Sequence, residues 1–206
     1  PKLEPMRRFL FVSACVPLFL LGACATVKPE AGDAVAPAAA DSAYGLFLAG
    51  SSALTEGRNS DAARFLELAR TRGGDDPAVS ERAFTAALMA GDIEKAALLA
   101  PDGPTASDQG KRMGRLVRAV QALAVNKGKV ATEVLGHDGV GFPHRGAVAL
   151  LSPWVAASIG DLDGSVVRPT LRGDASVDYF GQIGQAHLFE RARRYDEAET
   201  DFKAIT

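Results

Sequence analysis

Past residue 42 the apolar residues recur with the period of a helix. Ala62, Phe65, Leu66 and Ala69 stand at i, i+3, i+4 and i+7, and so do Ile93, Ala96, Ala97 and Ala100. Met113, Leu116, Val117, Val120 and Ala124 keep the same spacing. Such positions share one face of a helix, and no sustained two-residue alternation of the strand type interrupts them. Stops fall between the runs. Arg70-Thr71-Arg72-Gly73-Gly74 puts cations in a last turn and glycine beyond it, and Asp76-Pro77 offers an N-cap followed by proline at the first helical position. The pattern predicts an all-α chain of paired helices. The first members are expected over 42–56, 77–90, 107–125, 144–159 and 176–192, and the second over 60–72, 92–100, 128–135, 162–168 and 195–206.

The turn phrases align with one another. Gly57-Arg58-Asn59-Ser60-Asp61-Ala62 matches Gly91-Asp92-Ile93-Glu94-Lys95-Ala96, then Asn126 to Ala131, Gly160 to Ser165 and Arg193 to Ala198. The small residues that close these phrases, at 62, 96, 131, 165 and 198, lie 34, 35, 34 and 33 apart. A period near 34 with a small residue early in the second helix resembles the tetratricopeptide repeat.

The resemblance covers most of residues 42–206 and implies an α-solenoid of about five helix-turn-helix units. The last unit matches best, with Ala186, Phe189, Tyr195, Ala198 and Phe202 at the small and aromatic positions. Gly50, Ala62 and Ala69 match in the first unit, and Ala96 and Ala131 take the small position in the second and third. The middle units are degenerate: Phe84 and Pro153 fall where a small residue is expected, which implies shifted or distorted helix pairs. In such arrays a helix pair cannot cover its own apolar face; stacking the next pair does so, and small residues let the backbones approach. Tyr195, Phe202 and Ile205 form an uncovered stripe where arrays carry a polar cap, so the repeat domain of 42–206 is expected to be incomplete and to continue past Thr206.

The other end of the chain has a different pattern. Arg7 and Arg8 precede an apolar run from Phe9 to Leu21, followed by Gly22, Ala23 and Cys24. Charge, short apolar core and small residues make the layout of a secretory signal. The run is too short to span a bilayer, which needs roughly 20 residues. Leu21-Gly22-Ala23-Cys24 resembles the lipobox of bacterial lipoproteins. That resemblance implies a signal peptide over 6–23 behind an upstream remnant over 1–5, with Cys24 as the lipid-attachment site and first mature residue. Two or three acyl chains anchor durably, because each buried methylene contributes about 0.8 kcal/mol. Ala25 rather than Asp after the cysteine points, by the same resemblance, to the outer membrane facing the periplasm. Residues 24–41 hold seven Ala, two Pro and no aromatic, and read as a tether with nothing to bury. Fully extended it would reach about 60 Å, at roughly 3.3 Å per residue.

Charge narrows the partners. Lys2, Arg7 and Arg8 are three of 23 basic residues and Glu4 one of 25 acidic ones, so 20 and 24 remain after the signal. No basic excess exists to neutralise phosphates, which argues against nucleic acid. Cys15 lies in the signal and would leave with it, so no internal disulfide is available to the mature chain.

Candidate chemistry is thin. His137, Asp138 and His144 flank a glycine-rich stretch and could ligate zinc, although a zinc site needs further ligands. A loop between helix pairs is the simpler reading. Asp161-Leu162-Asp163-Gly164 opens like a calcium loop but has Val166 and Arg172 where glycine and glutamate belong. Ser107, Asp108 and His187 make no triad. His187 and Arg191 are candidates for a groove on the last repeat, and Arg191, Arg193 and Arg194 suit a solvated helix end. Trp154, at helical spacing with Leu151 and Val155, reads as core. The expectation is therefore a non-enzymatic scaffold or adaptor without cofactors, anchored in the cell envelope and holding a protein or peptide on its concave face. The alternatives are a periplasmic metal-dependent hydrolase using His137, Asp138 and His144, or the N-terminal part of a longer protein whose activity lies downstream.

Overall fold

The computed structural model describes residues 41–74, 76–136 and 140–205. The signal, the tether to residue 40, Cys24, His137 and Asp138 lie outside them. Within them the chain is all-α, with ten helices and no strand. They are α1 (Ala43–Thr55), α2 (Asn59–Gly73), α3 (Pro77–Met89), α4 (Ile93–Leu99) and α5 (Asp108–Ala124). Then follow α6 (Gly128–Gly136), α7 (Arg145–Ser158), α8 (Leu162–Ser165), α9 (Ala175–Arg191) and α10 (Tyr195–Ile205). None of the described helices is long and apolar enough to cross a membrane.

Short polar side chains start these helices. Ser42 Oγ accepts the Gly45 amide at 3.0 Å, and Ser107 Oγ accepts that of Gly110 at 3.0 Å. Asp76, Asp92, Asp161 and Asp174 cap α3, α4, α8 and α9 in the same way. Each cap satisfies amide donors that have no partner inside the helix.

The turn within each helix pair is the same object five times. Gly57, Gly91, Asn126, Gly160 and Arg193 all have positive φ, between 59° and 85°. At each, the next residue's amide reaches back to a carbonyl five residues earlier: Arg58 to Ala53, Asp92 to Ala87, Lys127 to Ala122, Asp161 to Ala156 and Arg194 to Phe189. The positive-φ residue itself bonds three residues back, as Gly57 does to Leu54 and Arg193 to Glu190. This is the Schellman closure, which ends a helix on a left-handed residue and satisfies its last carbonyls. Recurrence of the motif at 57, 91, 126, 160 and 193 explains the period of the turn phrases.

Five residues beyond each turn residue stands a buried small side chain. Ala62, Ala96 and Ala131 are fully buried, and Ser165 and Ala198 nearly so. Seven residues before each turn residue stand Gly50, Phe84, Ala119, Pro153 and Ala186, all buried. The register therefore holds through the middle units, which were expected to be shifted or distorted; the distortion lies in the Pro153 pair, at α8. Phe84 fits because it packs among Ala87, Ala96 and Ala100. Ala69 is also buried.

The core is a succession of small clusters, each shared by three consecutive helices. Ala53, Ala62, Ala63, Leu66, Ala83 and Ala86 join α1, α2 and α3. Phe84, Ala87, Ala96, Ala100 and Val117 join α3, α4 and α5, and Ala119, Ala122, Ala131 and Val155 join α5, α6 and α7. Alanine dominates because the backbones come close. A β-carbon on Gly50 would stand 2.6 Å from Leu66 Cγ.

The regular order breaks at α8, which is one turn of four residues where 162–168 was expected to be helical. Pro169 explains the stop: it disfavours helical backbone at Arg168, and Val166 and Val167 are weak helix formers. Beyond the short α8, α9 packs against α7.

Candidate functional site

A groove lies between α7 and α9. Glycines set its width. A β-carbon on Gly146 of α7 would meet Val177 Cγ2 at 3.1 Å and Asp174 Oδ2 at 3.3 Å. On α9, one on Gly181 would stand 2.8 Å from Pro169 Cγ, and one on Gly184 would stand 3.5 Å from Trp154 Nε1.

Two depressions adjoin at Leu150. The smaller, about 90 Å³, is lined by Pro153, Trp154, Pro169, Phe180, Gly184 and Leu188 among others. Its rim is aromatic: Trp154 is 38% and Phe180 56% exposed. The Tyr179 and Phe180 rings meet edge to face, with centroids 5.4 Å apart. Trp154, read from sequence as core, thus stands at the surface. Its indole borders the depression opposite Gly184 of α9. Rigid aromatic side chains at an exposed groove are the type that anchors partners.

The larger depression, about 540 Å³, lies at the starts of α7 and α9 and includes Phe142, His144, Arg145, Leu171, Arg172 and Asp174 in its lining. His144 occupies the N-cap position of α7 without capping it, and its Nε2 is buried with no hydrogen-bond partner. Of the three residues proposed for zinc, only His144 is described. Among the described residues no group of three His, Cys, Asp or Glu side chains could hold a metal ion.

A buried polar network fixes the floor. Arg168 Nε donates to Gln185 Oε1 at 2.7 Å, and Arg168 Nη2 donates to Asp201 Oδ1 at 2.6 Å. Gln185 Nε2 in turn donates to the Val166 carbonyl. Gln185 and Asp201 are both buried. The segment that replaces the end of α8 is thereby tied to α9 and α10. Its partners lie 17 and 33 residues away, so no local sequence pattern reveals it.

The last repeat carries a second, open groove. Tyr195, Ala198 and Phe202 line an apolar depression of about 420 Å³ rimmed by Glu190, Glu199 and Lys203. Tyr195 takes the repeat's turn aromatic position and was expected in an uncovered stripe; it is 62% exposed, and among the described residues no element covers that face of α10. Phe202 is half-buried, and the His187 ring meets it edge to face at 5.1 Å. His187 Nδ1 is 3.6 Å from a Glu190 carboxylate oxygen. Arg191 is exposed. Arg194 lies over the Phe189 ring at 4.7 Å and pairs with Glu197 at 2.7 Å, and Arg193 serves the turn backbone. The structure brings His187 and Phe202 together, while Arg193 and Arg194 have separate tasks.

Comparison of the chain with family models, with curated proteins and with solved structures finds no match.

Proposed function

We propose that the chain is a lipid-anchored protein of the bacterial cell envelope whose helix pairs form a tetratricopeptide-like α-solenoid. It acts as a scaffold that holds a protein partner. The observation that carries the repeat reading is the recurrence of one closure motif at 57, 91, 126, 160 and 193, each followed by a buried small residue. Stacked repeats need that identity of turn and contact, because each pair is covered only by its neighbours.

The aromatic groove of α7 and α9 supports the binding role. Trp154, Tyr179 and Phe180 are large, rigid and exposed together, in a chain otherwise cored by alanine. Exposed aromatic clusters of this type mark interaction surfaces. The anchor reading rests on Leu21-Gly22-Ala23-Cys24 and places the surface at the end of a tether.

Site-specific photo-crosslinking in cells tests the scaffold. A cross-linker at position 154 or 180 is expected to give one discrete protein adduct, and a cross-linker at exposed Glu133 none. Adducts from neither groove position would count against the groove. Cys24→Ser with mass spectrometry of the native N-terminus tests the anchor. If the serine variant still fractionates with membranes and the native chain carries no lipid mass, the lipoprotein reading fails.

A further inference from the structure

We propose that the larger depression, at the starts of α7 and α9, binds a small organic anion: a carboxylate or phosphate carried on an apolar body. Nothing in this inference depends on the scaffold reading, since it rests on the lining alone. The volume, about 540 Å³, is of the size that small-molecule sites have. Apolar walls come from Phe142, Leu150, Leu171 and Val177.

The charge in the lining is unbalanced towards cation. Arg145 and Arg172 both line the depression, and neither has an ion-pair partner among the described residues. Most other arginines of the chain are engaged, as Arg58, Arg118, Arg168 and Arg194 are with carboxylates. The one carboxylate in the lining, Asp174, uses its Oδ1 to accept the Ser176 and Val177 amides at 3.1 and 3.2 Å, and its charge offsets one of the two arginines. Two guanidinium groups without an ion pair among the described residues, beside an apolar wall, suit an anion with an apolar body, because guanidinium pairs carboxylate or phosphate through two parallel hydrogen bonds.

Two further features agree. The first turn of α7 has no side-chain cap and no acidic residue of its own, and the carboxylate near it is that of Asp174, beside Gly146. In the same lining, His144 Nε2 is a buried polar atom without a hydrogen-bond partner among the described residues. A buried polar atom left unpaired costs free energy that a bound polar ligand would recover.

Titration of the purified full-length chain with 4-phenylbutyrate, followed by amide NMR, tests this. Saturable shifts are expected at Gly146, Ala147 and Gly173. The uncharged 4-phenylbutanol is expected to bind about tenfold more weakly or worse, and Arg145→Ala with Arg172→Ala to weaken phenylbutyrate by about tenfold or more. Arg172→Ala alone, with unchanged circular dichroism, guards against a folding defect in the double variant and is expected to lose part of the affinity. Phenyl phosphate in a parallel titration identifies the preferred head: tighter binding than phenylbutyrate assigns a phosphate, weaker binding a carboxylate. The proposal is overturned if the alcohol binds as well as the acid, if the arginine variants bind both acids unchanged, or if neither acid gives saturable shifts.

Discussion

Arg168 and Asp201 meet at 2.6 Å although 33 residues separate them, and the contact joins an irregular segment to the last helix. Asp201 is buried, and its second oxygen has no partner. The carboxylate therefore depends on a single guanidinium. Arg168 keeps part of its side chain in solvent, so the pair is half-desolvated.

Removal of Arg168 should cost more than removal of both partners. Arg168→Met leaves a buried carboxylate unpaired and is expected to destabilise by about 1–3 kcal/mol. Asp201→Asn with Arg168→Met removes both charges and should recover much of that loss, since replacing a buried pair by groups of similar shape is often neutral. Urea denaturation of the four variants of the cycle measures the coupling. Equal losses in the single and double variants would mean that the pair contributes only packing.

The repeat was legible in the sequence because left-handed turn backbone selects glycine or asparagine, and close backbone contact selects alanine. Gly57, Gly91 and Asn126, with Ala62, Ala96 and Ala131, carry both signals. Nine of the ten helices fall within a few residues of where periodicity places them. The α7–α9 groove was not legible. Its floor depends on Arg168 finding Gln185 and Asp201, which are distant in sequence. Its aromatic rim was hidden because Trp154 at helical spacing looks the same whether or not a neighbour covers it. Pro169 was the local clue to the early end of α8.

Arg193 is the turn residue least suited to its backbone. At φ 61° it holds the conformation that Gly57, Gly91 and Gly160 hold at their own turns. A side chain in that region costs roughly 1–2 kcal/mol. Arg193→Gly should therefore stabilise by about 0.5–1 kcal/mol after allowance for the freer unfolded chain. Gly160→Ala should lose about 1 kcal/mol by the same argument reversed. Thermal unfolding of the two variants checks the opposite signs, and equal signs would refute the shared closure.

Gly50 and Leu66 should be coupled. A β-carbon at Gly50 would sit 2.6 Å from Leu66 Cγ and 3.2 Å from its amide nitrogen, and Leu66 is fully buried. Gly50→Ala is expected to cost about 1–3 kcal/mol by overpacking. Leu66→Ala is expected to cost about 2–5 kcal/mol by leaving a cavity. The double variant should cost less than the sum, because the added methyl enters the space the leucine vacates. Strict additivity in chemical denaturation would show that α1 and α2 do not meet there.

Acid should remove a stabilising contribution at the last turn. The Glu197 carboxyl lies below the usual glutamate range, first because Arg194 donates hydrogen bonds to it and then because its own backbone amide does. The folded value is below the unfolded one. The contribution is therefore complete at neutral pH and is lost as pH falls through the depressed folded value. Glu56 is depressed in the same direction, by Ser52 first and by Arg58 next. Both groups are exposed, so the effects are small and screened by salt. Glu197→Gln should melt lower than the native chain at pH 7 by no more than about 2 °C. That difference should vanish once the native carboxyl is protonated, and it should shrink in about 1 M salt even at pH 7. A difference that persists unchanged in acid would mean that the glutamine loses packing rather than charge. In that case the Arg194–Glu197 pair contributes nothing to closing the turn.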